Sequence, residues 1–213
     1  MVTFFFILFI FFGNFVTERI AWRLKSMGNV DDHFYIQQIK AGNTQAFNGI
    51  VSKYQSRLLT IIAKITGNRQ DAEDILQEVF LKVFQSLEQF KGEAEFSTWL
   101  YRVAYNTTLS ELRKKKVAFV PMDNNFSAEN EPVNESIDEM DTEHRLHCLN
   151  TALKRLSPDD AFLITLYYLK EQSIDEIGQI SNLSISNVKV RLHRIRKKLA
   201  AEINQLINDE NNR

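Results

Sequence analysis

The apolar residues in the first half of the chain recur mostly three or four positions apart, the spacing of an amphipathic helix. This pattern predicts a helix over residues 32–41 that ends at Gly42-Asn43. It also predicts a long helix that opens at Thr44 and stops at Gly67-Asn68. The inward positions of the long helix are Phe47, Ile50, Val51, Tyr54, Leu58, Ile61, Ile62 and Ile65.

The same spacing predicts two further helices, one capped by Asp71 and one running from near Thr98 to Lys116. The third helix has a continuous polar face, which on an arbitrary helix is usually no more than solvated surface. That face consists of Asp74, Gln77, Glu78 and Lys82. One side of the fourth helix combines aromatic, amide and cationic side chains, which suits contact with nucleic acid. That side consists of Arg102, Tyr105, Asn106, Leu109, Arg113 and Lys116.

Hydroxyl-bearing residues mark the starts of three helices in the last quarter of the chain. The first is expected to run to about Leu169, the second to Ile180 and the third through Lys198. The residues expected to begin them are Ser157 with Pro158, Ser173 with Glu176, and Ser184. Between the second and third helices, Asn182 suits a tight turn because asparagine tolerates the left-handed conformation.

The third of these helices is amphipathic and basic, with no acidic residue between Ser184 and Ala201. Its apolar stripe is Val188, Leu192, Ile195 and Leu199, and its basic residues are Lys189, Arg191, Arg194, Arg196, Lys197 and Lys198. Two helices joined by a three-residue turn form a helix-turn-helix, which places the start of its second helix against base edges and its cations near phosphates. The sequence therefore predicts DNA binding.

Composition indicates an all-α protein, with 7 glycines and 3 prolines in 213 residues, and one cysteine excludes an internal disulfide framework. The net charge of −1 is unusual for a nucleic-acid-binding protein, but the charge is unevenly distributed. Residues 117–144 carry eight acidic residues and no Lys or Arg, which predicts an acidic flexible linker. We expect it to join two slightly basic helical domains, over residues 27–116 and 145–213.

Residues 1–26 form a separate apolar segment that includes the dense run from Phe4 to Phe12. The run is shorter than the roughly 20 residues that span a bilayer as a helix. It lacks a basic start, and no small-residue cleavage site precedes Trp22. We expect translation to begin at Met27 and residues 1–26 to be a non-native extension, with a membrane anchor as the alternative.

Two motifs together resemble a known family. One comprises residues 71–80, Asp-Ala-Glu-Asp-Ile-Leu-Gln-Glu-Val-Phe, and residues 96–106, Phe-Ser-Thr-Trp-Leu-Tyr-Arg-Val-Ala-Tyr-Asn. The other motif is the helix-turn-helix, where the resemblance is carried by Leu156-Ser157 and by residues 176–178 and 188–199. They resemble the extracytoplasmic-function (ECF) sigma factors of bacterial RNA polymerase, over roughly residues 32–116 and 145–206. Helix-turn-helices alone are common, whereas both motifs in this order are specific.

The resemblance implies an alternative sigma factor, a non-enzyme that binds core RNA polymerase at its largest-subunit clamp and flap regions and directs promoter-specific initiation. It implies three sets of contact residues. The clamp would be bound by Asp74, Gln77 and Glu78. The promoter's minus-ten element would be bound by Phe96, Ser97, Arg102, Asn106 and Arg113. The loop over residues 90–98 would capture a flipped base of that element. The minus-thirty-five element would be read by Ser186, Asn187, Lys189, Val190, Arg191 and Arg194.

The family also implies an anti-sigma partner, which is often a membrane protein, and a cytoplasmic location, with no cofactor and no small-molecule substrate. The chain departs from the usual motifs at four positions. Tyr105 stands where a basic residue is usual and Ser110 where an acid is usual, and Asn187 and Val190 replace the usual threonine and serine of the recognition helix. These departures leave the class intact and affect the expected promoter sequence.

Three alternatives compete with this interpretation. An enzyme finds little support, because His144, His147 and Cys148 lack a second cluster that would complete a metal site. We expect no metal there. A free-standing helix-turn-helix regulator explains the C-terminal quarter but leaves residues 71–106 without a role. A membrane-tethered signalling protein would depend on residues 2–16.

Overall fold

The computed structural model describes residues 31–117, 142–169 and 172–211. The apolar segment over residues 1–26 lies outside these residues, and so does nearly all of the predicted linker over residues 117–144. The described part is helical and contains no β-strand, which confirms the all-α prediction. It falls into two compact units, one drawn from residues 31–117, 157–169 and 172–192, the other from residues 142–156 and 193–211.

Four α-helices and two 3-10 helices form the first part of the chain. They are α1 (Asp32–Lys40), a 3-10 helix (Thr44–Ala46), α2 (Phe47–Thr66), α3 (Arg69–Ser86), a second 3-10 helix (Leu87–Gln89) and α4 (Phe96–Val117). Thr44 therefore opens a 3-10 turn and not the long helix itself, which begins at Phe47. Gly67 ends α2 as predicted, in the left-handed conformation with φ 66°, which glycine adopts without a steric penalty.

Two helix starts were predicted too late. The cap of α3 is Asn68 and not Asp71, because the Asn68 side chain accepts a 2.9 Å hydrogen bond from the backbone N–H of Gln70. The fourth helix begins at Phe96 and not near Thr98. In α3 the first turn carries Arg69, Gln70 and Asp71, polar residues whose spacing gives no signal.

Four helices form the second part of the chain. They are α5 (Thr142–Arg155), α6 (Pro158–Leu169), α7 (Ile174–Ser181) and α8 (Ile185–Asn211). The last helix extends well past the predicted end at Lys198, because Ile203 and Ile207 continue its buried stripe and are 7% and 5% exposed. A 2.7 Å ion pair joins Arg155 at the end of α5 to Glu202 on this extension.

The larger unit is built on α2, α3 and α4. Helix α2 contacts α3 and α6, and α4 contacts α3, α6 and α7. The inward positions predicted for α2 are largely correct, since Ile50, Leu58, Ile61 and Ile62 have no exposed surface. Burying each such side chain contributes about 1.5–3 kcal/mol relative to leaving it in water.

The carboxylate of Asp32 joins helix α1 to helix α2. It accepts 2.6 Å hydrogen bonds from the Tyr54 hydroxyl and from Nζ of Lys53. Gly49 lets α1 approach closely, because a Cβ at that position would lie 2.2 Å from the ring of Tyr35. Burial first, and then the bond to Asp32, raises the pKa of Tyr54.

Candidate functional site

The polar face predicted on the third helix is present on α3. Asp74 and Gln77 are exposed, and Glu78 is half-exposed and forms a 3.2 Å ion pair with Lys82 one turn later. Leu81 adds an apolar side chain on the next turn and is 51% exposed. We call Asp74, Gln77, Glu78 and Leu81 the docking face. Sequence reasoning missed Leu81, although its place outside the helix's inward spacing was a usable signal.

The rest of α3 holds the docking face in position. Ile75, Val79 and Val83 on its opposite side are 0–2% exposed. A 2.6 Å ion pair between Asp71 and Lys115 joins the start of α3 to the end of α4. Because both partners are partly exposed, this pair contributes at most about 1 kcal/mol. The docking face is therefore a rigid surface whose own side chains contribute little to the core.

The loop before α4 rests on an aromatic cluster. Phe96 contacts Tyr54, Phe90 and Trp99, with ring centroids 5.5 to 5.9 Å apart. Phe96 is only 4% exposed, and its ring packs against that of Phe90 at the start of the loop. Its predicted role as a minus-ten contact stays a prediction, which would require the ring to become exposed. Nζ of Lys40 donates a 2.9 Å hydrogen bond to the carbonyl of Phe90 and holds the other side of the loop.

The predicted nucleic-acid side of α4 is divided by the structure. Arg102, Asn106 and Arg113 are exposed, and Ser97 in the first turn is half-buried. Tyr105 and Leu109, expected on the same surface, are buried, at 7% and 9% exposure. The correction has a geometric reason: α4 contacts α6 and α7, and the ring of Tyr105 packs against Phe162 of α6. Packing between distant segments leaves no mark in the local spacing.

The helix-turn-helix follows the prediction closely. Ser173 accepts from the backbone N–H of Glu176 at 3.2 Å, and the Glu176 carboxylate accepts from the N–H of Ser173 at 2.7 Å, which completes the capping box. Asn182 makes the turn in the left-handed conformation, with φ 58°. Gly178 allows the turn to close, because a Cβ there would lie 2.8 Å from the carbonyl oxygen of Leu183.

The start of α8 presents its polar side chains to solvent while its apolar stripe is buried. The stripe is Val188, Leu192, Ile195 and Leu199, all at 3% exposure or less. The exposed set is Ser186, Asn187, Lys189, Val190 and Arg194. Val190 is an exposed aliphatic residue at 49%, which suits contact with the methyl group of thymine. A polar and basic helix start of this kind can enter a major groove.

Arg191 differs from its neighbours on α8. Its Nε donates a 2.8 Å hydrogen bond to Asp160, and its Nη2 donates to Asp159, both in the first turn of α6. The other oxygen of Asp159 accepts from the hydroxyl of Tyr105 on α4. The structure therefore directs this guanidinium toward α6. Base reading by Arg191 stays a prediction, and it would require the side chain to leave these carboxylates.

The electrostatics of this cluster follow from partial burial. Burial lowers the pKa of Arg191, but its hydrogen bonds to Asp160 and Asp159 outweigh that effect and raise the pKa above its ordinary value. Burial, together with the bond to Asp159, raises the pKa of Tyr105. The tyrosine therefore donates as a neutral phenol, and the arginine stays fully charged.

The described residues place no group of three or more His, Cys, Asp or Glu side chains where it could hold a metal ion. Cys148 is buried at 1% exposure. None of the helices in the described ranges is long and apolar enough to cross a membrane.

Comparison with known proteins gives two family matches. The model of sigma-70 region 2 matches residues 50–117, and that of sigma-70 region 4 matches residues 146–199. The ECF RNA polymerase sigma factor SigW of Bacillus subtilis is 33% identical over 179 residues, covering 80% of this chain and 96% of the relative. The ECF RNA polymerase sigma-E factor of Haemophilus influenzae is 30% identical, covering 83% of this chain and 97% of the relative.

Two solved structures share the fold. CnrH, in complex with the cytosolic domain of CnrY, has a TM-score of 0.60 at 21% identity and covers 82% of this chain and 97% of its own. The sigma factor RpoE of Bartonella quintana, in complex with the anti-sigma factor NepR, has a TM-score of 0.58 at 20% identity. The match covers 76% of this chain and 98% of the RpoE chain.

Proposed function

Because the chain belongs to the ECF RNA polymerase sigma factors, we propose roles in transcription initiation for three of its surfaces. The protein is an alternative sigma factor that directs promoter-specific initiation. The proposal rests mainly on one observation: most side chains that the resemblance assigns to polymerase and DNA contact are exposed, while their helices are fixed by buried apolar residues. Such surfaces are available to partners without unfolding any helix.

The docking face on α3 binds the clamp of core polymerase. Asp74, Gln77 and Glu78 supply hydrogen-bond acceptors and negative charge, and Leu81 supplies apolar area next to them. In an interface of this kind, the apolar centre contributes affinity and the charged rim fixes the orientation of the partner. Lys82 already neutralises part of the charge of Glu78, so Asp74 carries the larger share of the unpaired charge.

The loop before α4 and the exposed edge of α4 bind the minus-ten element. Arg102 and Arg113 are cations on one side of the helix and suit phosphate contact, while the amide of Asn106 between them suits a base edge. Ser97 begins this edge. The aromatic cluster around Phe96 stabilises the loop, and Trp99 lies half-exposed at its border, where an unstacked base could pack against it.

The start of α8 reads the minus-thirty-five element in the major groove. Ser186, Asn187, Lys189 and Val190 lie in its first two turns and offer donors, acceptors and one aliphatic contact. Arg194 lies one turn further and suits a phosphate.

The same membership leads us to propose a cytoplasmic location and an anti-sigma factor as regulatory partner. Support for the partner comes from the fold shared with the RpoE of Bartonella quintana, which was solved in complex with an anti-sigma factor. Such a partner acts by covering surfaces that polymerase or promoter needs, and the docking face offers an exposed target.

Run-off transcription with purified core polymerase on a randomised promoter library tests this function. Transcripts that depend on the added protein and share two sequence elements support it. DNA binding without any polymerase-dependent transcript would instead favour a free-standing regulator, which leaves the docking face without a role.

A further inference from the structure

Helix α1 is joined to the start of the loop that precedes α4. Nζ of Lys40, in the last turn of α1, donates a 2.9 Å hydrogen bond to the carbonyl oxygen of Phe90. Phe90 directly follows the second 3-10 helix, which α1 also contacts. We call residues 90–95, between that 3-10 helix and α4, the minus-ten loop. The bond thus connects the loop to a helix 50 residues earlier in the sequence.

The end of the minus-ten loop is connected to the same helix by another route. The ring of Phe96, the first residue of α4, contacts the ring of Tyr54 with centroids 5.9 Å apart. The hydroxyl of Tyr54 donates to Asp32 in the first turn of α1 at 2.6 Å, and Lys53 pairs with the same carboxylate. Helix α1 is therefore fixed to α2, and both ends of the loop connect to it.

The middle of the minus-ten loop has less support than its ends. Lys91, Gly92 and Glu93 are exposed, and Gly92 lies in the left-handed region with φ 76°. Exposed segments with few buried contacts open at a low free-energy cost. The carbonyl of Phe90 and the next N–H belong to one rigid peptide plane. By holding that carbonyl, Lys40 fixes the direction in which the chain leaves the 3-10 helix.

We propose that Lys40 is a positioning residue for the minus-ten element, and that it sets discrimination at the one base that the minus-ten loop receives. The inference rests on the proposed contact of this loop with a flipped base. The preferred base fits the loop as Lys40 holds it, whereas another base displaces the loop and breaks the bond to Phe90. Specificity is a difference of affinities, so the bond adds to the preference although Lys40 itself touches no base.

Hydrogen exchange on the free, full-length protein measures the tie without DNA or polymerase. The amide of Phe90 donates to the carbonyl of Leu87 at 3.1 Å, so its exchange reports opening at the start of the loop. Lys40→Met keeps the length of the side chain but removes the donor. It should accelerate exchange of the Phe90 amide about threefold to tenfold, the change expected when one hydrogen bond is lost. The amide of Gly67, bonded to Ala63 at the end of α2, should keep its rate.

Two further variants control for charge. Lys40→Arg retains a donor and should preserve the slow exchange of the parent protein. Lys154 is likewise an exposed lysine in the last turn of its helix, α5. Lys154→Met therefore removes the same favourable charge from a helix C-terminus and should leave the Phe90 amide unchanged.

Transcription by the holoenzyme tests the consequence for specificity. Promoters from the run-off selection are varied one minus-ten position at a time, and each variant protein is assembled with core polymerase. Lys40→Met should lower discrimination about threefold to tenfold at one position, by the loss of one hydrogen bond. Preferences at the other minus-ten positions and in the minus-thirty-five element should stay, because α4 and α8 are unchanged. Lys40→Arg should retain the discrimination of the parent protein.

A direct contact between Lys40 and a phosphate would give a different result. Lys40→Met would then weaken binding to all promoters alike. The slope of the logarithm of the binding constant against the logarithm of the salt concentration would become shallower by about one. That outcome overturns the positioning role, which predicts an unchanged slope.

The positioning role is also overturned if Lys40→Met keeps either the parental Phe90 exchange or the parental discrimination, or if Lys40→Arg behaves like Lys40→Met. A parent holoenzyme without any minus-ten preference contradicts the proposed function, and this inference with it. A parent that discriminates, with a Lys40→Met variant that discriminates equally well, contradicts this inference alone.

Discussion

Tyr101 shows how strongly burial alone can change a single side chain. It is 3% exposed, and burial raises its pKa from 10.0 to about 12 despite the opposing charge of Arg57. The folded state therefore favours the neutral phenol. That preference contributes stability that is fully present below the ordinary pKa and is lost as the pH rises through the raised one.

We predict that unfolding free energy falls by about 2–3 kcal/mol between pH 10 and pH 12 because Tyr101 must ionise. Tyr101→Phe should remove this part of the fall, although other buried tyrosines will still contribute to the rest. Denaturant unfolding of both proteins across this range, together with tyrosinate absorbance, gives the difference. Parallel stability curves for the two proteins would contradict the assignment.

Lys189 and Arg191 are neighbours on α8 with different surroundings, and we predict different effects of replacing each by alanine. Arg191→Ala leaves Asp159 and Asp160 without their cation and should destabilise the fold by about 1–3 kcal/mol. Lys189→Ala should change stability by less than about 0.5 kcal/mol and weaken binding at the preferred minus-thirty-five sequence. Denaturation and binding-site selection on both variants separate the two effects; equal stability losses would show that the acid contacts of Arg191 contribute nothing.

At the scale of helices, the sequence was most informative where local chemistry decides the structure. The capping box at Ser173, the left-handed Asn182 and the stop at Gly67 were all predictable, because each depends on residues a few positions apart. The burial of Tyr105 and Leu109 was not predictable, because α6 and α7, the helices that contact α4 here, come from a distant part of the sequence. The extension of α8 past Lys198 was overlooked, although Ile203 and Ile207 keep its spacing.

Gly178 sets the distance between the two helices of the helix-turn-helix, and Gly178→Ala tests this. The added methyl would lie 2.8 Å from the Leu183 carbonyl oxygen. Because this oxygen belongs to the backbone, the clash can be relieved only if the turn moves. We predict a loss of about 1–3 kcal/mol with weaker promoter binding. Gln179→Ala, at the adjacent exposed position, should leave both nearly unchanged. Thermal unfolding and a promoter-binding titration measure these effects, and a stable, fully binding Gly178→Ala variant would refute the close approach.

The basic residues further along α8 should act without regard to sequence. Lys197 is exposed two turns past Val190, where a helix leaving the groove meets phosphate. Lys197→Ala should weaken binding to all sequences alike. It should also make the slope of the logarithm of the binding constant against the logarithm of the salt concentration shallower by about one, the change expected when one phosphate contact is lost. Titrations at several salt concentrations, on preferred and scrambled duplexes, measure both quantities. A changed sequence preference would place Lys197 at a base edge instead.

At the scale of the whole molecule, function depends on surfaces that contribute little to the fold. Family membership could be inferred from the sequence because both motifs occur in the family's order. Which of their residues face outward could be inferred only in part: Phe96 belongs to an aromatic cluster assembled from α2, the loop and α4, and Leu81 was not recognised as exposed. Motifs identify a segment, whereas packing decides which of its side chains a partner can reach.

Charge reversal on the docking face tests the attachment to polymerase. Glu78→Lys creates no cavity but replaces the ion pair with Lys82 by a like-charge pair, so stability should fall by about 1 kcal/mol or less. Affinity for core polymerase should fall by a few kcal/mol because a like charge then faces the partner. Glu88→Lys makes the same charge change at an exposed site outside α3 and should bind normally. Binding of each variant to core polymerase decides the matter, and unchanged affinity of Glu78→Lys would refute the docking role.

The division of labour along α8 has a practical consequence for engineering. Val188 and Leu192 are buried and fix α8 against its neighbours, and Gly178 on α7 allows the turn before it to close, whereas Ser186 and Asn187 are exposed. The exposed residues at the start of α8 can therefore be replaced together without changing the buried residues that hold the helix. Libraries confined to these outward positions would sample new promoter preferences while nearly every member still folds, which makes this chain a suitable starting point for orthogonal transcription switches.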